Sequence, residues 1–212
     1  MSPAATKTAD APEAEKVEPS LILLGPEAAG PELAERLAEA LAGGRIAAVV
    51  LDPRTIPAER LGAVLAATRA HATALFLLED AASVIEAGAD GLLLRAIERI
   101  EPARRLLGLE RPIGVATGGS RHAAMEAGEA GADWLLLGEG EPLARRVELV
   151  RWWSELFVLP CAAPADTVQE ASALLAAGAD FLVPPATIWA APSARLAAFR
   201  EVLAAHHAKG SG

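Results

Sequence analysis

The side chains able to do chemistry are unevenly distributed along this sequence. Lysine occurs only at Lys7, Lys16 and Lys209, near the two ends, so the body of the chain relies on arginine for positive charge. That removes Schiff-base chemistry, which needs an amine able to lose its proton. Cys161 is the sole cysteine, and one thiol forms neither an intrachain disulfide nor a thiolate metal cluster. With no histidine near it in sequence, it reads as an ordinary buried thiol. His71, His122, His206 and His207 share no metal-binding spacing and read as surface or cap residues. The stretch Gly118-Gly119-Ser120 has the composition of a turn entering a helix. Successive amides there can form a nest at a helix N-terminus, able to hold an anion, although the same residues serve equally as a plain turn and cap.

The charge balance narrows the partners. The 212 residues carry a net charge of −9, so binding to DNA or RNA would gain nothing from counterion release. No apolar run approaches the roughly 20 residues of a membrane span, because charges or glycines interrupt each one. The single cysteine fits a reducing, cytoplasmic setting. Residues 1–19 are rich in Ala, Pro, Thr and Glu and lack the apolar stretch of a signal peptide. They read as a disordered tail, as do residues 209–212, leaving 20–208 as one domain.

That domain alternates short apolar runs with amphipathic segments. The runs are SLILLG, IAAVVLD, TALFLLE, GLLLRA, PIGVATG, WLLLGEG, LFVLPCAA and FLVPPA. They are continuous rather than alternating, as expected of strands covered on both faces. The segments between them have helix punctuation. Leu33, Leu37 and Leu41 line one face before a Gly-Gly stop, Pro57 suits a first turn, and Ser120 and Asp166 are candidate N-caps. Strand and helix alternating through 20–208 predict a (β/α)8 TIM barrel, with an open doubly wound sheet as the alternative. With 52% hydrophobic residues, only 4% aromatic ones and no tyrosine, its core must be mainly Leu, Ala, Val and Ile.

A junction recurs within this frame: EAGADGLLL from Glu86, EAGADWLLL from Glu129 and AAGADFLVP from Ala176. Gly88, Gly131 and Gly178 sit where helices end, at the position that favours a left-handed backbone. Asp90, Asp133 and Asp180 then start the next strand, at the bottom of a barrel, where features serve stability. These aspartates are expected to cap or tie loops. Trp152-Trp153 is expected to face the core or a subunit interface, a homodimer through the outer helices being one arrangement.

The segments GVATGGSRHAAMEAGEAGADWLLLGEG and DTVQEASALLAAGADFLVPPATI resemble the thiamine phosphate synthase and thiazole tautomerase superfamily. The likeness covers roughly Leu21 to Val202. It implies a small TIM barrel whose synthase members join a hydroxymethylpyrimidine diphosphate to a thiazole phosphate. In that reaction diphosphate leaves, and the thiazole nitrogen captures the resulting cation. Two carboxylates hold magnesium on the diphosphate, and a Gly-rich turn holds the second phosphate on backbone amides.

Carried onto this chain, the resemblance points to Arg54 and Thr117 as catalytic candidates. Arg54 stands where the family has lysine, but Asp52 replaces an arginine beside it. Glu79 keeps a carboxylate at the metal position, and Glu98 falls where the second belongs, so these two are the candidate magnesium ligands. Around Glu79, Leu78 and Asp80 replace the family's asparagine and arginine. Thr117 matches the family threonine, whereas Gly118 replaces the histidine that carries a proton in the tautomerase branch. Gly118, Gly119, Ser120, Arg95, Arg145 and Thr187 are the remaining candidates for a small phosphate substrate, with Arg146 the alternative to Arg145. Pro164 and Ala165 stand at the paired glycines of the phosphate turn, and Pro184 and Pro185 remove further amide donors.

Two readings follow. One is a synthase-type enzyme with a degenerate site. The other is a non-catalytic barrel that binds a small ligand or a partner protein. Charge separates them: Asp52, Glu79, Asp80, Glu98, Glu139 and Glu141 would crowd a diphosphate with few cations. Like charges about 4 Å apart repel by roughly 1 to 4 kcal/mol per pair.

Overall fold

The computed structural model describes residues 18–26, 30 and 32–210, so most of the expected N-terminal tail and residues 211–212 lie outside the described residues. Eight parallel strands close into a barrel in sequence order. They are β1 (Ser20–Leu24), β2 (Ile46–Leu51), β3 (Ala74–Leu78), β4 (Gly91–Leu94), β5 (Ile113–Gly118), β6 (Trp134–Leu137), β7 (Cys161–Pro164) and β8 (Phe181–Val183). The helices are α1 (Leu33–Leu41), α2 (Ala58–Ala70), α3 (Ala81–Ala87), α4 (Ile100–Leu107), α5 (Arg121–Glu129), α6 (Leu143–Leu156), α7 (Val168–Ala177) and α8 (Pro192–Gly210). Three short 3₁₀ turns, Pro53–Thr55, Ile97–Arg99 and Ala186–Ala190, follow β2, β4 and β8. The TIM barrel expected from the sequence is the fold. Among the described residues, no helix is long and apolar enough to cross a membrane.

The apolar runs are continuous because each strand buries both faces. Ile22, Ala48, Val50, Phe76, Leu93, Trp134, Leu136, Ala162 and Val183 fill the barrel interior. Leu21, Leu23, Val49, Leu51, Leu75 and Leu77, one position out of phase, pack toward the helices. Two of the few aromatic residues form an edge-to-face pair inside the barrel, Phe76 and Trp134, with ring centroids 5.7 Å apart. They fit because Gly91 and Gly114 face them. A Cβ on Gly91 would lie 2.5 Å from the Phe76 ring, and one on Gly114 2.2 Å from that of Trp134. Trp189, in the last 3₁₀ turn, donates its indole N–H to Leu24 O at 2.7 Å and joins the end of the barrel to its beginning.

The repeated junction is a clasp. Gly88, Gly131 and Gly178 all have positive φ, as the sequence predicted. Each aspartate that follows makes a reciprocal pair with the preceding strand. Asp90 N–H donates to Leu75 O at 2.8 Å, and Leu75 N–H donates to the Asp90 carboxylate at 2.8 Å. Asp133 does the same with Ile113 (2.8 and 2.7 Å), and Asp180 with Cys161 (3.0 and 2.9 Å). At the lower end of a strand the neighbouring ladder has not yet begun, so the lowest amide lacks a carbonyl. The aspartate side chain supplies that acceptor. Arg104 adds a contact to Asp133 at 2.6 Å.

Local boundaries differ from expectation in three places. LFVL is not part of a strand: Leu156 ends α6, Phe157 stacks on Trp153 with centroids 4.1 Å apart, and β7 begins at Cys161. The rest of the stretch is a loop, which the aromatic stack and the Trp153 N–H bond to Leu159 O (2.7 Å) hold against α6. The cap of α7 is Thr167 rather than Asp166, its hydroxyl accepting from Glu170 N–H at 3.2 Å. Pro57 caps α2 instead of occupying its first turn. Trp153 is buried in the core, and Trp152 lies under the Arg121 guanidinium, 4.9 Å from the ring centroid.

The clasp makes two measurable statements. Replacing Asp90, Asp133 or Asp180 with alanine leaves a buried strand amide without an acceptor and is expected to cost about 1 to 3 kcal/mol. Asparagine keeps an acceptor and should cost less. Urea denaturation reads both, and alanine variants within 0.5 kcal/mol of the parent at all three sites would contradict this role. Secondly, burial and the nearby Asp180 carboxylate push the Cys161 thiol up from its ordinary 9.0 to about 12. The folded chain keeps this proton while the unfolded chain loses it, so stability falls as pH rises from about 9 toward 12. Cys161→Ala should show a shallower fall over that window in denaturation midpoints measured against pH.

Candidate functional site

The strand tops carry a ring of acid–base pairs. After β2, Asp52 caps the Pro53–Thr55 turn by accepting Arg54 N–H at 2.9 Å, and the Arg54 guanidinium returns to the same carboxylate at 2.7 Å. Arg54 holds Asp52 below the usual carboxylate range. Its own side chain is 74% exposed and faces its neighbour's charge rather than a vacant position for a substrate.

After β3 and β4 the pairs interlock. One Glu79 oxygen accepts the Arg95 amide and the other accepts the Arg99 guanidinium, which also reaches Glu79 O. The Glu79 amide donates to Leu93 O at 2.9 Å, extending the β3–β4 ladder by one step. This geometry requires Glu79 to adopt φ of +64°, a conformation uncommon for a side-chain-bearing residue. Arg95 in turn forms a two-pronged pair with Glu139 after β6, which joins distant parts of the mouth. Asp80 caps α3. Its carboxylate accepts the Ser83 amide at 3.1 Å and the Ser83 hydroxyl at 2.8 Å, and these bonds hold it below the usual range.

These contacts bear on magnesium. Both Glu79 oxygens are engaged, and Glu98 sits exposed on the Ile97–Arg99 turn. Among the described residues, no three His, Cys, Asp or Glu side chains are grouped to hold a metal ion. Glu79 would have to release the Arg99 guanidinium and the Arg95 amide before its carboxylate could hold a hard cation.

The Gly118-Gly119-Ser120 turn is tied to its neighbours through its carbonyls and the Ser120 side chain, and the Ser120 amide reaches Thr117 O at 3.5 Å. Ser120 is the N-cap of α5, its hydroxyl accepting from Ala123 N–H at 3.1 Å, as the sequence predicted. Gly118 O accepts from Gly138 N–H at 2.7 Å, and Gly119 O accepts from Arg145 at 3.1 Å. Thr117 lies where the β5–β6 register shifts between Ala116 and Gly118. Its side chain is 9% exposed and its hydroxyl is buried with no hydrogen-bond partner. Thr187 is exposed on the last 3₁₀ turn.

A cavity of about 390 Å³ opens over β6, β7, β8 and the end of β1, with Glu139, Glu141, Arg146, Pro164, Asp166 and Pro184 among its walls. Arg146 is the one charged side chain among the buried described residues, at 5% exposure. It donates to Pro164 O and pairs with Asp166 at 3.4 Å and Glu170 at 3.1 Å. Its neighbour Arg145 points elsewhere, to Glu148 at 2.9 Å and to Gly119 O. Of the two arginines, Arg146 is the one in the mouth. Only the approach of Gly138 marks it, since a Cβ there would lie 2.7 Å from the Arg146 stem, and a lone sequence gives no such signal. A larger concavity, about 720 Å³, lies between α7 and α8 on the outer wall, away from the strand tops.

Comparison with known proteins fits this barrel. The family model for thiamine monophosphate synthase matches residues 20–184. The thiamine-phosphate synthase of Rhodospirillum centenum is 34% identical over 200 residues, covering 86% of this chain and 97% of that protein. That of Erythrobacter litoralis is 38% identical over 160 residues, covering 70% and 74%. Among solved structures, the thiamine phosphate pyrophosphorylase of Pyrococcus furiosus superposes with a TM-score of 0.74 at 23% identity, covering 90% of this chain and 98% of that one. That last likeness speaks for the fold alone.

The backbone at Glu79 supplies a test. Glu79→Ala removes the clamp on Arg95 and Arg99 while keeping the strained φ, whereas Glu79→Gly removes the clamp and relieves the strain. Left-handed backbone costs a Cβ-bearing residue about 1 kcal/mol, so the glycine variant should be the more stable of the two by roughly that amount. Thermal or urea unfolding measures it. The opposite order would mean that Glu79 does not hold this backbone in the folded protein.

Proposed function

The chain belongs to the thiamine monophosphate synthase family, and on that premise we propose that it acts in thiamine biosynthesis as a synthase-type barrel with a degenerate mouth. Its reaction in this reading is the joining of a hydroxymethylpyrimidine diphosphate to a thiazole phosphate, in the cytoplasm, at a reduced rate. The lineage supports the reaction class, because the match to a named synthase spans nearly the whole of that protein.

One observation carries the degeneracy. Arg54, Arg95, Arg99, Arg145 and Arg146, the cations around the strand tops, each reach a carboxylate of the same chain. A diphosphate must therefore break existing pairs to gain a cation, and each pair it breaks leaves an acid facing it. In this barrel the arginines stabilise departing diphosphate only after that exchange. Exposed pairs of this kind are weak, so the exchange is feasible but unfavourable for binding and turnover. No step is assigned to a metal.

The occupied Glu79 carboxylate and the prolines at 164, 184 and 185 favour a second reading, a barrel that binds a small ligand or partner without transfer. Purified full-length protein incubated with the pyrimidine diphosphate, thiazole phosphate and Mg²⁺ distinguishes the two. Thiamine phosphate should form, at least about 10²-fold more slowly than with an ordinary synthase assayed alongside, a deficit of about 2.7 kcal/mol in the barrier. No product above background would leave only the non-catalytic reading.

A further inference from the structure

We infer that Arg95 is the cation an incoming diphosphate takes over, and that Glu139, its partner across the mouth, sets how readily it does so. This rests on the synthase-type reading, which supplies the diphosphate. It goes beyond that reading by selecting one arginine and naming the acid that restrains it.

The arginines around the strand tops differ in how they are held. Arg54 lies two positions from Asp52, whose carboxylate takes both the Arg54 amide and its guanidinium within one short turn. Arg99 is tied twice to Glu79, through the carboxylate and the backbone carbonyl. Arg145 donates to Gly119 O as well as to Glu148. Arg146 is buried, with Pro164 O and two carboxylates as partners. An anion that takes any of these leaves a backbone carbonyl or an adjacent carboxylate facing it.

Arg95 has no such tie. Among the described residues its guanidinium bonds to Glu139 alone, two nitrogens on the two carboxylate oxygens. Its backbone is fixed separately, because the amide donates to Glu79. Glu139 lies on a turn that does not need its side chain. Glu141 N–H closes the turn on Gly138 O at 3.0 Å, and Gly140, with φ of +80°, fills the third position. From there the pair reaches past β5 to the end of β4, with Glu139 in the wall of the strand-top cavity. The side chains of Arg95 and Glu139 are 48% and 31% exposed, so the pair is weak and Glu139 can turn to water when it is displaced. A diphosphate offers the same fork two oxygens in the same arrangement, and the two anions compete for one guanidinium.

The test is calorimetric titration of the full-length protein with inorganic pyrophosphate, with no divalent metal added. Glu139→Gln should bind it about fivefold more tightly than the parent, the scale of one exposed ion pair that no longer competes. Arg95→Met should bind it at least about fivefold more weakly than the parent. In the Arg95→Met background, adding Glu139→Gln should change the affinity by less than about twofold, since no cation is left to release. Glu141→Gln removes an equal charge from the same turn and should also stay below about twofold. Circular dichroism checks that each variant is folded. The inference is overturned if the gain from Glu139→Gln is absent, is matched by Glu141→Gln, or survives without Arg95. Failure of every form to bind pyrophosphate overturns it as well. The synthase-type reading is judged separately, by formation of thiamine phosphate with the parent protein.

Discussion

The reciprocal bond between an aspartate and the first buried amide of the preceding strand is the constraint on which this barrel depends. A parallel strand exposes its lowest N–H before its neighbour has begun, and an unmatched buried amide costs as much as a hydrogen bond is worth. Asp90, Asp133 and Asp180, leading into β4, β6 and β8, resolve this for β3, β5 and β7 by placing a carboxylate where a carbonyl is missing. Each is delivered there by a glycine that lets the preceding helix stop in a left-handed turn. Register at the bottom is thus set by local sequence, and the strands then rise in fixed phase, one set of side chains filling the barrel and the other meeting the helices.

Fixing the bottom leaves the top free to change. Backbone amides just past the strand ends extend the ladders, as that of Glu79 does to Leu93 O, but most side chains there lie outside the core, so substitutions alter charge and hydrogen bonding more than packing. The mouth uses that freedom to neutralise itself. Arg95 with Glu139 spans from the end of β4 to the loop after β6, while Glu79 gathers Arg99 and the Arg95 amide beside it. These pairs are mostly exposed and add little stability. Their effect is on what a ligand meets, since each of these cations already faces a carboxylate.

Much of the scaffold was legible in the sequence because it follows from short-range rules. Continuous apolar runs imply strands covered on both faces, and Gly-Ala-Asp after a helix implies a left-handed stop followed by a tie. Where local rules competed, legibility failed. LFVL is apolar enough for a strand, but Leu156 ends α6 and Phe157 stacks on Trp153, which leaves the stretch as a loop against the helix. Thr167 and Asp166 are both good caps, and only the position of Glu170 decides between them. The mouth was less legible still. Residue types there could be read, yet the partnership of Glu79 with Arg99 spans twenty positions, and that of Arg95 with Glu139 spans forty-four. Neither spacing has a helical or strand period, so closure of the barrel alone brings them together.

That difference separates the architecture, which local rules specify, from the mouth, which contacts between distant positions specify. A phosphate-binding mouth needs cations that are positioned but uncommitted, so that the ligand completes their electrostatics. Replacing a neighbour with an acid does not remove such a cation; it gives it a permanent partner, as Asp52 does for Arg54. Part of the free energy that a free cation would gain from an anion is then already realised within the protein. Arg146 is buried as well as paired, so its charge is opposed by Asp166 and Glu170 before any ligand arrives. What an anion would gain in this mouth is therefore set by the acids beside each cation as much as by the cation itself.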